Sequence, residues 1–270
     1  MKHSVIDKIK SLNIDKAEFY FAEAEFGSKF VSTYCENIQA KGKILEIGCG
    51  SGMLLSMLSQ QFDKLEFEGI EPFGSGFSSV RELNQIVKGS GVSIENVGYE
   101  RFVPSKKYDF IYCVNVFEHI DDWRDFLLVA TEWLKADGKI LILCPNYRFP
   151  YEAHFRVPVI LNKSITFRVF KKIISKYEKE NDFEGLWHSL NFVKKKEVLI
   201  FIKSKPHLKL FDDISIIDQI IERIITDNEF RKRQKVIGSI ALALQKLGVL
   251  RVLKLFPMFL PYMKLEVRKV

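Results

Sequence analysis

The sequence predicts an α/β protein built on a doubly wound, mostly parallel sheet. Three observations carry this. Short apolar runs alternate with helical patterns through residues 40–146. A glycine-rich turn, Glu46-Ile47-Gly48-Cys49-Gly50-Ser51-Gly52, follows the first run directly. A helix with one apolar face lies between the last two runs, so those strands need a crossover and lie parallel.

The elements follow in order. KILEI (43–47) is a short apolar run ending in the glycine turn, and reads as a buried strand. A helix begins at Met53. LEFEGIE (65–71) and YDFIYCV (108–114) read as further strands, and KILILC (139–144) is the clearest. Before that last strand, Asp121 or Asp122 can cap a helix. Trp123, Phe126, Leu127, Ala130 and Leu134 then recur at helical spacing on one face. Asp137-Gly138 is expected to end this helix and turn the chain. After Pro145 the texture changes. Residues 147–162 are aromatic and proline-containing without a period, and read as an ordered loop. Residues 163–180, 194–203, 213–226 and 228–255 read as helices, and Tyr262 to Val270 as a last strand. No flexible linker separates two halves, so one elaborated domain is expected.

Charge is unevenly placed along the 270 residues. The net charge is +7, yet residues 1–150 hold 17 Lys and Arg against 21 Asp and Glu. Residues 151–270 hold 24 against 13, so all the positive excess lies in the C-terminal part. That pattern excludes a uniformly basic nucleic-acid coat and leaves room for a basic accessory face. Cys35, Cys49, Cys113 and Cys144 form no CxxC pair, which argues against a zinc knuckle, a redox centre or a disulfide framework. The N-terminal residues carry charges throughout and lack the apolar stretch of a secretory signal. No apolar run reaches about 18 residues, so no transmembrane helix is expected. A cytoplasmic location is expected, with peripheral membrane contact as the alternative.

The glycine turn carries the chemistry. Glycine suits it because the turn is tight and a ligand must approach the backbone closely. A dinucleotide fingerprint would need glycine at 53, where Met53 stands, and no Gly-Lys-Ser/Thr ends the loop as in a Walker A motif. The spacing is E-x-G-x-G-x-G. Nineteen residues after Gly52 comes Glu71, at the end of the second strand. An acidic residue there can accept hydrogen bonds from both ribose hydroxyls of an adenosine-containing ligand.

With these segments in place the chain resembles the class I S-adenosylmethionine-dependent methyltransferases, in particular the broad bacterial group of ubiquinone O-methyltransferase-like enzymes. The matching stretches are ILEIGCGSG (44–52), GIEPF (69–73), YERFVPSKKYDFIYCVNVFEHIDD (99–122), LKADGKILILCPN (134–146) and PYEAH (150–154). The resemblance implies a Rossmann-like seven-stranded sheet with its last strand antiparallel, helical C-terminal insertions, and S-adenosylmethionine across the C-terminal edges of the first strands. It divides the chain into a helical cap (1–39), a cofactor-binding core (40–155) and an acceptor-side helical region with the final strands (156–270). Carried over by position, Glu46, Gly48, Cys49, Gly50, Ser51 and Gly52 would line the methionine moiety. Glu71 would hold the ribose, with Pro72 and Phe73 beside the ribose or adenine. Tyr99 and Glu100 match the segment under the adenine ring, and Asn115 and Val116 would close the methionine end. S-adenosylhomocysteine would be the product.

On the acceptor side two histidines compete as the base. His119 follows the fourth strand, and His154 lies just after the fifth, among Tyr147, Arg148, Tyr151, Glu152 and Arg156. Either can take a proton from an acceptor hydroxyl. His188 is a weaker candidate, and Glu118 is expected to be structural. Ubiquinone O-methyltransferases carry an additional glutamate where this chain has Asn115, so no metal is expected. The C-terminal charge includes Lys194-Lys195-Lys196, Arg231-Lys232-Arg233 and the cations of segment 240–264, namely Lys246, Arg251, Lys254 and Lys264. That segment reads either as a helix covering the sheet or as a basic amphipathic helix on an anionic membrane. Phe256, Phe259 and Tyr262 can form an apolar lid. The expected reaction is O-methylation of a small molecule or a sugar or glycan precursor, anionic if the charge is used for binding. A quinone or lipid methyltransferase and a non-catalytic cofactor-binding scaffold remain the alternatives. No nucleic-acid partner is expected.

Overall fold

The computed structural model describes residues 9, 17–73, 78–89, 92–181, 183–227, 230, 231, 239, 242, 243, 245, 246, 248 and 252–270. The described elements run from α1 (Ala17–Cys35) to β1 (Lys43–Ile47), α2 (Met53–Gln61), β2 (Glu66–Ile70), α3 (Ser78–Lys88), β3 (Ser93–Glu95) and β4 (Tyr108–Val114). A 3-10 turn (Phe117–His119), α4 (Trp123–Glu132), β5 (Leu134–Pro145) and the short strands β6 (Tyr151–Glu152) and β7 (Val157–Pro158) follow. Then come α5 (Lys163–Asn181), α6 (Leu186–Ser189), α7 (Lys195–Lys203), β8 (Leu208–Asp212) and α8 (Ile216–Thr226). Two 3-10 turns (Leu253–Leu255 and Pro257–Phe259) lead into β9 (Tyr262–Lys269).

Seven strands form one sheet in the order β3-β2-β1-β4-β5-β9-β8. β1 to β5 pair in parallel, and β9 pairs antiparallel with both β5 and β8. The expected doubly wound sheet with its antiparallel last strand is therefore present. Side chains of the central strands alternate between two cores. On β5, Ile140, Ile142 and Cys144 join α4 and α7 on one face, while Leu141 and Leu143 join α1, α2 and α3 on the other. Strands buried on both faces read as continuous apolar runs, which is why they were visible in the sequence. Strand order reverses between β1 and β4, and ligands of open α/β sheets bind at such a reversal, beyond the C-terminal strand ends.

Several boundaries differ from expectation. Asp122 is the cap of α4, accepting from the amides of Arg124 and Asp125. The helix stops at Glu132, and Leu134 is the first residue of β5, where it pairs with Tyr108. Residues 136–138 therefore bulge inside the strand rather than turn before it, because the register shifts between Tyr108 and Phe110. Residues 147–162 contain the β6–β7 hairpin instead of being wholly loop. Of the segment expected to be helical at 228–255, most lies outside the described residues. Its end is a 3-10 turn, and Lys264 belongs to β9. All four cysteines are free and buried. Among the described residues no helix is long and apolar enough to cross a membrane.

Candidate active site

The glycine loop leaves β1 at the strand reversal. The amides of Gly48 and Cys49 both donate to the Ile70 carbonyl, at 2.8 and 3.0 Å, and tie the loop to the end of β2. Gly48 has φ +68°, and a Cβ there would stand 2.5 Å from both methyls of Val116. Glycine is needed on both counts. Gly52, at φ +74°, starts α2. The Cys49 thiol tucks down beside Gly69. The Ser51 hydroxyl accepts from the Met53 amide at 3.3 Å. A buried side chain absent from the sequence reading, Asn84 of α3, donates to the Gly50 carbonyl at 2.7 Å and fixes the crest of the loop.

Glu71 clamps the same loop from the end of β2. One carboxylate oxygen accepts from the Gly50 amide at 2.9 Å, the other from the Phe73 amide at 3.0 Å. Burial raises its pKa and these two backbone bonds oppose the rise. Each oxygen keeps a second lone pair, so the carboxylate can still accept from a pair of hydroxyls. Pro72 and Phe73 line a hollow of about 310 Å³ together with Arg81, Asn84, Lys88 and Asn96. A larger hollow of about 380 Å³ lies by the N-terminal ends of β4 and β5, around Asp109 and Lys135, away from these groups.

The other residues assigned to the cofactor have the following surroundings. Glu46 is 4 % exposed and accepts from the Tyr112 hydroxyl at 3.0 Å, and burial pushes its carboxyl up to about 8. It therefore holds a proton near neutral pH and anchors the end of β1. Tyr99 is buried edge-on against Phe126, with its hydroxyl donating to the Asp122 carbonyl, while Glu100 is exposed. Asn115, at φ +56°, donates its amide to the Leu143 carbonyl, and its side-chain oxygen accepts from the Tyr262 hydroxyl. Val116 packs over Gly48.

Beyond β4 the structure brings the two competing histidines together. Their rings meet edge to face with centroids 5.4 Å apart. Glu118 joins this group; it is wholly buried, and neither of its carboxylate oxygens has a hydrogen-bond partner. Burial pushes Glu118 up to about 7 and pushes His119 down to about 3. His119 Nδ1 lies 2.8 Å from the Ser189 hydroxyl. His154 Nδ1 lies 2.7 Å from buried Glu152, and its Nε2 is 4.0 Å from Glu118 Oε1. Burial depresses His154, but the Glu152 carboxylate outweighs it and holds the imidazole at about 9. Glu152 also accepts from the amides of His154 and Phe155 and from the Tyr147 hydroxyl, so it fixes the hairpin turn. His188 is exposed against Phe167 and stays outside this cluster. Ser189 carried no signal in the sequence, because it arrives from α6, about 70 residues downstream of His119.

The segment 256–262 lies across the same end of the sheet. The Asn146 side chain, at the end of β5, donates to the carbonyls of Met258 and Leu260, and Arg148 stacks over Phe259 at 4.9 Å. Some of the basic charge of the C-terminal part is paired within the structure. Lys195 is fully buried on Asp212, Lys254 pairs with Asp218, and Lys264 pairs with Asp213.

A glycine loop at the strand reversal and an acidic residue ending β2, on this sheet, are the marks of a class I S-adenosylmethionine-dependent methyltransferase. The chain belongs to the methyltransferase domain family, whose model matches residues 18–196. It is 32% identical over 229 residues to the uncharacterized protein Rv1509 of Mycobacterium tuberculosis, covering 83% of this chain and 78% of the relative. It is 26% identical over 194 residues to the ubiquinone biosynthesis O-methyltransferase of Rickettsia canadensis, covering 70% of this chain and 78% of that one. Among solved structures, the plantazolicin methyltransferase BpumL, in complex with a triazolic desmethylPZN analog and SAH, superposes with a TM-score of 0.55. It covers 97% of this chain and 90% of its own at 18% identity, a likeness of fold.

Proposed function

We propose that the protein transfers a methyl group from S-adenosylmethionine to a hydroxyl oxygen of a small molecule or a glycan precursor. The buried Glu118 carboxylate, without a hydrogen-bond partner and grouped with two imidazoles beyond β4, carries this reading. A hydroxyl must lose its proton as it is methylated, and a desolvated carboxylate held near neutral pKa is suited to that transfer. The bound cofactor supplies an activated sulfonium methyl. The residues position and shield. The start of α2, held in place by the tied-down Gly48–Gly52 loop, presents a helix N-terminus to an anionic carboxylate. Glu71 accepts from the ribose hydroxyls. Asn115, fixed by Tyr262, closes the methionine end. The strap at 256–262 covers the opening and excludes water, the main help a methyl transfer needs besides alignment. Glu118, His119 and His154 act on the acceptor's proton as one unit.

A second reading, a quinone or lipid acceptor taken at a membrane surface, is favoured by exposed Leu255 just before the strap and exposed Phe256 and Phe259 on it. The same assay separates the two. S-adenosylhomocysteine release is measured with sugars, sugar phosphates, phenols, quinols in liposomes, and amines. Turnover is expected with a water-dispersed hydroxyl acceptor, falling on the order of 100-fold in Glu118→Gln. Turnover confined to liposomal quinols supports the second reading, and turnover confined to amines overturns both.

A further inference from the structure

We infer that Asn84 of α3 is a positioning residue for the cofactor, one that aims the Ser51 amide at the methionine carboxylate and leaves the adenosine end alone. The inference rests on the glycine loop receiving the methionine end of S-adenosylmethionine. It is independent of which acceptor is methylated.

Hydrogen bonds along the loop single out one group. The amides of Gly48 and Cys49 donate to Ile70 and that of Gly50 to Glu71. The Gly52 amide donates to the Cys49 carbonyl at 2.7 Å, and the Met53 amide to the Ser51 hydroxyl. Of the amides from Gly48 to Met53, that of Ser51 finds no acceptor among the described residues. Ser51 is 9 % exposed, so an unanswered donor there is costly until a ligand meets it. At the methionine end of the cofactor the ammonium only donates and the carboxylate only accepts, so the carboxylate is the match.

Asn84 sets the direction of that amide. The peptide joining Gly50 to Ser51 is planar and trans, so its carbonyl and its N–H point opposite ways. The Asn84 side chain donates to the Gly50 carbonyl at 2.7 Å, which turns the Ser51 N–H away from α3. α2 does not hold this carbonyl, because the Ser56 amide bonds to Gly52 instead, at 2.9 Å. Asn84 itself is 1 % exposed, on the face of α3 that carries Val80 and Val87. A Cβ on Gly50 would lie 3.7 Å from Val80, and one on Gly52 2.9 Å from Val87, so the helix lies along the loop and its asparagine has a fixed reach. Labour is divided at Gly50. Glu71 holds its amide and is placed to accept from the ribose, whereas Asn84 holds its carbonyl, so the loss of Asn84 is felt at the amino-acid end.

The test compares two ligands by calorimetry, S-adenosylhomocysteine and methylthioadenosine, which keeps the adenosine and the thioether but lacks the amino-acid end. Asn84→Leu fills the same space without a donor. It is expected to weaken S-adenosylhomocysteine roughly 10-fold and to leave methylthioadenosine unchanged, the size of one hydrogen bond to a charged group. Glu71→Ala should weaken both ligands. Asn84→Ala, which admits a water able to donate to the Gly50 carbonyl, should show the same selectivity with a smaller loss, and it decides the matter if the leucine variant does not fold. Methylthioadenosine binding reports that the fold and the adenosine end are intact. Unchanged S-adenosylhomocysteine affinity, or an equal loss for both ligands in the asparagine variants, overturns the inference and leaves the proposed function standing. Wild-type protein that binds both ligands equally tightly would remove the methionine end from the loop and overturn it too.

Discussion

Glu71→Ala is expected to weaken S-adenosylhomocysteine binding on the order of 100-fold, measured by calorimetry. Two contributions add. The carboxylate is placed to accept from both ribose hydroxyls, and hydrogen bonds to a charged group are worth about 1.5–3 kcal/mol each. It also holds the amides of Gly50 and Phe73, so its loss unclamps the loop that carries the methionine end. Glu71→Gln separates the two. Its single carbonyl oxygen can keep one acceptor bond, while its amide nitrogen faces a backbone N–H, so an intermediate loss is expected. Unchanged affinity in Glu71→Ala would remove Glu71 from the cofactor site.

Asp212→Ala is expected to cost about 3 kcal/mol of stability. Lys195 is wholly buried and its ammonium lies 3.1 and 2.9 Å from the two oxygens of Asp212. Removing one partner of a buried pair leaves an uncompensated charge, typically at about 3–5 kcal/mol. The Asp212 side chain is 20 % exposed, so water can enter the vacated space and the lower end applies. The pair also bears on the site. The Lys195 amide donates to the Asn146 side-chain oxygen, and Asn146 holds the strap through Met258 and Leu260. Denaturant unfolding is the measurement, with Lys195→Met/Asp212→Ala as the control that removes both charges. The double variant should recover most of the loss. An Asp212→Ala protein as stable as wild type would show that the pair contributes nothing.

That lysine also shows where the sequence stops being legible. Lys194-Lys195-Lys196 reads as one solvated basic run, yet the middle residue is in the core, because a helix carries neighbouring residues to different faces. Local signals survived better. The strands β1, β4 and β5 are apolar because they are covered on both sides, and the glycine loop is forced by φ values and the approach of Val116. Leu134 kept its apolar character but changed element, since one buried residue serves a helix end or a strand start equally well. β3, at three residues, and the β6–β7 hairpin, with two residues a side, are too short to show a period. The histidine cluster was half visible. His119 and His154 stood out singly, as rivals. Their meeting around Glu118, and the supporting Ser189 and Asn84, depend on long-range contacts that no local spacing encodes.

Cofactor binding is the most direct test. Wild-type protein titrated with S-adenosylhomocysteine should show one saturable site and a rise in melting temperature, as a ligand that binds only the folded state requires. No heat and no shift at millimolar ligand would contradict the assignment of the loop, of Glu71 and of the reaction built on them.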